Sequence, residues 1–526
     1  MGLAIRASDM LKRRSPKGAG SRPAASAAQP ASVTSLYQCS RQISYISADI
    51  DLRPENPNAM TDAAGAGVWT PDISKFEGPR YLALAGAIAE AIDSGELPLG
   101  AQLPPQRDLA EQLGVTVGTV GRAYNIMKKR QLVSGEVGRG TFVCRGIEAT
   151  IPNYLPERMP GTIDFACYRS PVAGLSEELG KAMTLAAARA ALMPVHKYPP
   201  AEGLLTHRTA GAQWIRRSGL QVTPDRVIAC GGGQQALLVA ISATVGPGET
   251  LLSEALTYSG VNSLGALLGR RLAPVAIDGE GIIPEALEEA VAATGGRCLY
   301  LQPTVHNPTA AIMSEKRRQR ITDLARRLDL ILIEDDAAIS GMTERPLPIA
   351  HFAPERTIYI SSFGKSVTPA LRVAYMASPP TLCERLVHTL HALMLANAPL
   401  PLEIAGAMIA DGSADAIARH NLTELRARHE AALKLLGGWK VSSHPAAFFQ
   451  WLHLPGHWSA AEFCEAAYRE GVSVVPSDNF TIGGSTPPRA FRISVNPAQK
   501  ASVLAKGIDI LTRLARQRPQ PRMAVV

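Results

Sequence analysis

The chain has 526 residues, too many for one hydrophobic core, so two to four domains are expected. Apolar and charged content are ordinary for a globular protein, and no run of about eighteen or more apolar residues offers a transmembrane helix. A net charge of +8 over this length permits a nucleic-acid partner without requiring one. The cysteines number seven, an odd count, and form no CxxC pair. That excludes a zinc site of the usual spacing and a disulfide framework, and predicts a reducing, cytoplasmic setting.

Residues 1–75 read as a disordered basic tail rich in Ala, Ser, Pro and Gly. Arg6, Lys12, Arg13, Arg14, Lys17 and Arg22 stand there with Asp9 as the one acid before Asp49. No apolar h-region marks a secretory signal, although the composition also suits an organelle transit peptide. Met60 offers a second start.

Helical periodicity begins after Pro79 with "RYLALAGAIAEAIDSGEL". A turn-rich connector leads to "RDLAEQLG", a short helix stopped by Gly114. A second helix follows, with Thr116 as its N-cap. "VSGEVGRGTFV" then gives two short strands around a glycine turn. This order predicts a winged helix-turn-helix over residues 76–146. The exposed start of its second helix offers Thr116, Thr119 and Arg122 to DNA, and the hairpin tip offers Arg139. A small helical protein-interaction domain fits the same outline. The residues "LPPQRDLAEQLGVTVGTVGRAY" and "QLVSGEVGRGTFV" resemble the DNA-binding domain of GntR-type bacterial regulators. That resemblance implies DNA contacts at Arg107, Thr119 and Arg139. Pro105 and Val117 depart from its pattern, which has serine and arginine there. Valine can touch a thymine methyl but cannot read guanine.

Residues 147–162 read as a linker. Across residues 163–520, short apolar runs ("RVIACGG", "RCLYLQP", "LILIED", "TIYISS") alternate with helical segments such as "SEKRRQRITDLARRLD". The alternation predicts an α/β unit with a mainly parallel sheet, whose ligands bind at the carboxyl ends of the strands. The unusual residues fall at those ends. Three glycines in "ACGGGQQ" open a helix that can hold a phosphate, or simply make a tight turn. "LILIEDD" ends with three carboxylates, of which two read as solvated or capping and one as a partner for a buried cation. Asn307 precedes a proline in a fixed loop, and the adjacent His306 reads as a loop histidine without metal-ligand spacing around it. Tyr258 follows a strand and is either core or part of a site.

Lys365 sits in "SSFGKSVTPALR" among small residues, with Arg372 seven positions on. A lysine so placed can form an imine with an aldehyde cofactor. An arginine and a glycine-rich helix start can bind that cofactor's phosphate. A strand-end carboxylate can keep a pyridine nitrogen protonated. An asparagine can bond the ring oxygen, and an aromatic side chain can stack on the ring. The set describes pyridoxal 5'-phosphate.

The same residues resemble the fold-type I aminotransferases, with a smaller C-terminal α+β lobe. The resemblance implies that Lys365 is the imine lysine, and that Ser362 and Arg372 bind phosphate with the amides of Gly233 and Gln234. It places Tyr258 on the ring, Asn307 at the ring oxygen and Asp335 at the pyridine nitrogen. Arg492 would grip an effector carboxylate. Tyr198 would reach the phosphate bound by a partner subunit, implying a homodimer. Ala337 and Ala338 stand where the family carries a tyrosine, and Ala310 where it carries glycine.

A GntR-like winged helix followed by this unit resembles the MocR subfamily of bacterial regulators. The function implied is a cytoplasmic, pyridoxal-phosphate-dependent transcriptional regulator that binds double-stranded DNA. It would sense an amine, an amino acid or the cofactor itself. The alternatives are an active aminotransferase carrying a DNA-binding domain, and a constitutive DNA binder whose second domain only dimerises.

Overall fold

The computed structural model of the chain describes residues 69–76, 78–94, 96–97, 101–129, 132–136, 140–143, 161–168, 175–190, 197–336, 342, 345–483, 485–495 and 500–519. In the N-terminal part, helices Arg80–Ser94, Gln106–Gln112 and Val117–Lys129 pack with strands Gln102–Leu103, Val133–Glu136 and Gly140–Val143. The strands form an antiparallel sheet with Gly140–Val143 in the centre. Leu84, Ile88, Leu109, Val120, Ala123 and Met127 are buried together; Leu84 and Ile88 stand at i, i+4 and Val120, Ala123 and Met127 at i, i+3, i+7, which puts each set on a single helix face. Gly114 takes φ +59 and ends the short helix. Thr116 Oγ1 accepts the Thr119 backbone N–H at 3.2 Å, the N-cap bond expected. One boundary needs correction. Trp69 and Ile73 pack on this core, so the folded unit begins before residue 76.

The larger part is built on a seven-stranded sheet. Its strands are β1 (Val227–Cys230), β2 (Thr250–Glu254), β3 (Arg271–Val275), β4 (Cys298–Leu301), β5 (Ile331–Asp336), β6 (Thr357–Ser362) and β7 (Ala374–Ala377). Their order is β1-β7-β6-β5-β4-β2-β3. All neighbours pair in parallel except β7, which is antiparallel to both β1 and β6. Helices cover both faces. Ile358 and Ile360 of β6 pack with Leu237 and Ala240 of helix Gly233–Thr244, while Tyr359 between them joins a core with Trp214 and Met408. Burial on both faces is why these strands read as unbroken apolar runs. Because six strands run one way, their carboxyl ends share one edge. The antiparallel β7 starts at that edge, two residues after Arg372.

A smaller lobe holds a four-stranded antiparallel sheet, in the order Val441–Ser442, Phe449–His453, Ala490–Ser494, Val475–Pro476. Helices Ala460–Arg469 and Ala501–Ala515 bury Phe463, Leu504 and Leu511 against Leu452, Phe491 and Ile493 of this sheet. Strand Ile163–Asp164 joins the lobe by pairing with Val472–Ser473. Among the described residues no helix is long and apolar enough to cross a membrane.

Candidate functional site

The carboxyl edge of the seven-stranded sheet gathers the residues singled out by the sequence. Beyond β1, Gly231, Gly232 and Gly233 lead into helix Gly233–Thr244, and no side chain caps that helix. Gly232 has φ +97, and a Cβ there would stand 2.8 Å from Arg372 Nη2. A Cβ on Gly233 would stand 3.7 Å from the Ser362 Cβ. Only glycine at 232 lets the backbone come this close to the arginine, whereas a side chain at 233 would make ordinary contact with the serine. The result is a cradle of free backbone N–H groups, one hydroxyl and one guanidinium, a donor set for a dianionic phosphate.

Beyond β2, Tyr258 donates its hydroxyl to Gln234 Oε1 at 3.2 Å. Its ring lies on Gly260, where a Cβ would be 2.3 Å from Tyr258 Cε1. Tyr258 is therefore a wall of the site, tied to the helix that starts the cradle.

Beyond β4 and within β5 runs a buried polar chain. Asp335 Oδ2 accepts from Tyr300 Oη at 2.8 Å and from Gln302 Nε2 at 3.1 Å. Gln302 Oε1 accepts the Asn307 backbone N–H at 3.3 Å. Asn307 Oδ1 accepts from Arg492 Nη1 at 3.0 Å, and Arg492 Nη2 donates to Ala166 O at 2.8 Å. Arg492 also lies over the rings of Phe449 and Phe480, 5.7 and 5.1 Å from their centroids. Glu254 accepts the Gln302 backbone N–H at 2.8 Å, and burial pushes its carboxyl up to about 8. Glu254 is thus largely protonated at neutral pH. His306 Nε2 donates to Leu256 O and Nδ1 accepts from Thr309 Oγ1, while burial pushes the imidazole down to about 4. It is a neutral loop histidine, as expected.

The three carboxylates that end β5 are all buried, which corrects the expectation that two are solvated or capping. Glu334 alone caps, taking the backbone N–H groups of Ile349 and Ala350 at 3.0 and 2.8 Å. Asp336 pairs with Arg345 at 2.7 Å and accepts from Tyr359 Oη.

Lys365 follows β6 at the centre of this edge. Val367 N–H closes onto Phe363 O at 3.0 Å, and Asn421 Nδ2 donates to Ser366 O at 3.0 Å, so the turn is held from two sides. Lys365 is exposed, yet protein crowds around it. Its Nζ lies over the rings of Tyr168 and Phe448, 5.8 and 5.2 Å from their centroids. The amine is pushed down to about 8, first by desolvation, then by the charges of Arg492 and Arg372, with Cys167 and Asp335 acting against them. An exposed lysine with a lowered pKa is suited to attack a carbonyl.

Lys365, Ser362, Arg372, Gly233, Gln234, Tyr258, Asn307, Asp335 and Arg492 are thus brought to one edge. Tyr198 is not among them within one chain. It is 80% exposed on a loop. Sequence reasoning passed over Tyr300, Gln302, Glu254, Tyr168 and Phe448. Gln302 and Glu254 stand inside strand-end segments whose other residues drew attention, whereas the three aromatic residues carried no signal that set them apart. Ala337 and Ala338 lie outside the described residues. The glycine cradle, the lysine, the buried carboxylate and the tyrosine beside the cradle fit pyridoxal phosphate as a donor set.

In the winged helix, Arg107, Thr116 and Arg122 are exposed and Thr119 is half-buried. The Thr116 and Thr119 hydroxyls bond each other at 2.9 Å, and Arg122 sits 6.0 Å from the Tyr81 ring centroid. Arg139 lies outside the described residues.

Comparison with known proteins accounts for both parts. Residues 80–143 match the family "Bacterial regulatory proteins, gntR family" and residues 172–511 match "Aminotransferase class I and II". The chain is 32% identical over 459 residues to the HTH-type transcriptional regulator YdeF of Bacillus subtilis, covering 85% of this chain and 96% of that protein. The chain belongs to the MocR subfamily of GntR-type transcriptional regulators. Another relative is the HTH-type pyridoxine biosynthesis transcriptional regulator PdxR of Corynebacterium glutamicum, 27% identical over 59% of this chain and 68% of PdxR. Among solved structures, the α-aminoadipate aminotransferase LysN of Thermus thermophilus superposes with a TM-score of 0.61 at 26% identity. It covers 68% of this chain and 93% of LysN. That structure is complexed with N-(5'-phosphopyridoxyl)-L-leucine. The larger part of this MocR-type regulator therefore has the fold-type I aminotransferase fold.

Proposed function

We propose that this regulator holds pyridoxal phosphate at the carboxyl edge of its sheet and senses an amino compound there. The observation that carries the reading is the junction of Gly232 with Arg372, a close approach that sets a guanidinium beside a helix start, as a phosphate site requires. Pyridoxal phosphate, when bound, supplies an aldehyde that condenses with amines and a ring that withdraws electrons from them. Lys365 attaches it covalently. Ser362, Arg372 and the amides of Gly233 and Gln234 hold the phosphate. Tyr258 stacks on the ring, Asn307 donates to the ring oxygen, and Asp335 keeps the pyridine nitrogen protonated. Arg492, fixed by Asn307 and Ala166, takes the effector's carboxylate. Tyr198, exposed in one chain, reaches the phosphate of a partner subunit in a homodimer. The paired winged helices would then meet two DNA half-sites through Arg107, Thr116, Thr119, Arg122 and Arg139. The aminotransferase reading draws support from the same intact lysine and arginine.

The test is borohydride reduction of the cofactor-treated protein followed by peptide mass spectrometry. The reduced adduct is expected on Lys365 and lost in Lys365→Ala. An adduct on another lysine, or none, contradicts the reading.

A further inference from the structure

Among the described residues the site's charged groups are few, and under the reading above, on which this inference rests, each has a partner. Asp335 serves the pyridine nitrogen and is held by Tyr300 and Gln302. Arg372 and the glycine cradle serve the phosphate. Arg492, fixed by Asn307, faces a carboxylate. Among the described residues, what remains beside the Lys365 amine is Cys167 and two aromatic rings. Tyr168 and Phe448 lie 4.8 Å apart, tilted at 45°, and Lys365 Nζ stands over both rings. Phe449 packs edge-on against Phe448 at 5.0 Å and passes beneath the Arg492 guanidinium. The rings thus run from the lysine to the arginine, with Phe449 fully buried behind Phe448 and the half-buried Tyr168 the most accessible of the three. This wall continues into an apolar cluster with Val305, Ala310 and Met342.

A ligand whose amine lies at Lys365 and whose carboxylate lies at Arg492 must place its side chain close to those rings. Ring faces carry negative quadrupole density and no hydrogen-bond donor, so a second carboxylate there loses its water without gaining a partner. A cation would suit the ring faces but not the field, because Arg492 and Arg372 already act against the lysine ammonium. An uncharged apolar or aromatic side chain meets neither penalty and buries its surface on the wall. We propose that the effector is an α-amino acid with an uncharged, apolar side chain, its carboxylate on Arg492 and its side chain against Tyr168 and Phe448. The wall selects against dicarboxylic and diamino acids, and an ω-amino acid has no side chain to bury on it.

The experiment is calorimetric titration of the full chain, saturated with pyridoxal phosphate, by L-phenylalanine, L-leucine, L-glutamate, L-lysine, 4-aminobutyrate and 2-phenylethylamine. Phenylalanine and leucine are expected to bind about tenfold or more tighter than the other four, the discrimination an apolar pocket reaches. The phenylalanine-to-glutamate ratio is expected to narrow about tenfold in Phe448→Ala and in Tyr168→Ala. Tyr168→Ala, on a half-buried side chain, carries the comparison if Phe448→Ala loses the cofactor. Equal or tighter binding of glutamate, lysine or 4-aminobutyrate overturns this inference. So does a ratio unchanged in the variants. In those outcomes the cofactor reading stands, provided the wild type keeps its visible absorbance through gel filtration. Failure to retain cofactor at all overturns that reading and this inference together.

Discussion

The Gln302 side-chain amide donates to Asp335 Oδ2 at 3.1 Å and accepts the Asn307 backbone N–H at 3.3 Å. One amide therefore joins the strand-end carboxylate to the asparagine loop, and through Asn307 to Arg492. Replacing it with leucine leaves the buried Asn307 N–H without its acceptor and takes one donor from a buried carboxylate. Each such loss costs about 1–3 kcal/mol. Gln302→Leu is expected to lower the unfolding free energy of the larger part by that order, measured by denaturant titration. It is also expected to weaken cofactor binding. A variant as stable as wild type with unchanged cofactor affinity would remove Gln302 from the network.

Lys365 gives a pH prediction. Its ammonium is disfavoured in the fold, so its pKa falls from 10.5 to about 8. The unfolded chain binds more protons between these two values, so folding stability is expected to rise with pH from about 8 to 10.5. Attack on an aldehyde needs the neutral amine. The rate of covalent cofactor attachment should therefore climb through an inflection near 8 rather than near 10.5. Arg492→Met removes one of the opposing charges and should move the inflection upward. An inflection near 10.5 in the wild type would contradict the assigned electrostatics.

The phosphate cradle is tested at Gly232. Alanine there is strained at φ +97 and meets Arg372 at 2.8 Å. Displacing the arginine removes a hydrogen bond to a charged group, about 1.5–3 kcal/mol, or about 10–100-fold in affinity. Gly232→Ala and Arg372→Ala should each weaken pyridoxal phosphate binding by that order. Equilibrium dialysis measures it. Unchanged affinity in both would move the phosphate elsewhere.

Much of this was legible in the sequence, for identifiable reasons. β1, β4, β5 and β6 are buried on both faces, and their apolar runs are unambiguous. β3 and β7 were not expected as strands. β3 is an edge strand interrupted by Pro274, and β7 reads only "AYMA", without a β-branched residue. The site residues were readable where chemistry needs an unusual type at a strand end, as at Lys365, Asp335 and Asn307. Tyr168 and Phe448 were not, because an aromatic residue in an apolar segment looks the same whether it faces a core or a cleft. Their role depends on two chain segments separated by hundreds of residues meeting over Lys365.

For the winged helix, Arg107 is exposed on the short helix Gln106–Gln112. If it meets a phosphate, Arg107→Ala should weaken DNA binding and make the log–log salt slope shallower by about 0.9. Cofactor affinity should not change. An unaltered slope and affinity, measured by fluorescence anisotropy, would place Arg107 outside the interface.

The most direct measurement is the affinity of the cofactor-loaded full chain for DNA that it selects from a random library, with and without saturating L-phenylalanine. If the cofactor site controls DNA binding, the dissociation constant should change about 5–150-fold, the range of a typical coupling free energy. The same change should vanish in Lys365→Ala. An affinity indifferent to every amino acid tried, alongside multiple-turnover transamination at about 1 per second or faster, would contradict the sensor account and favour the enzyme.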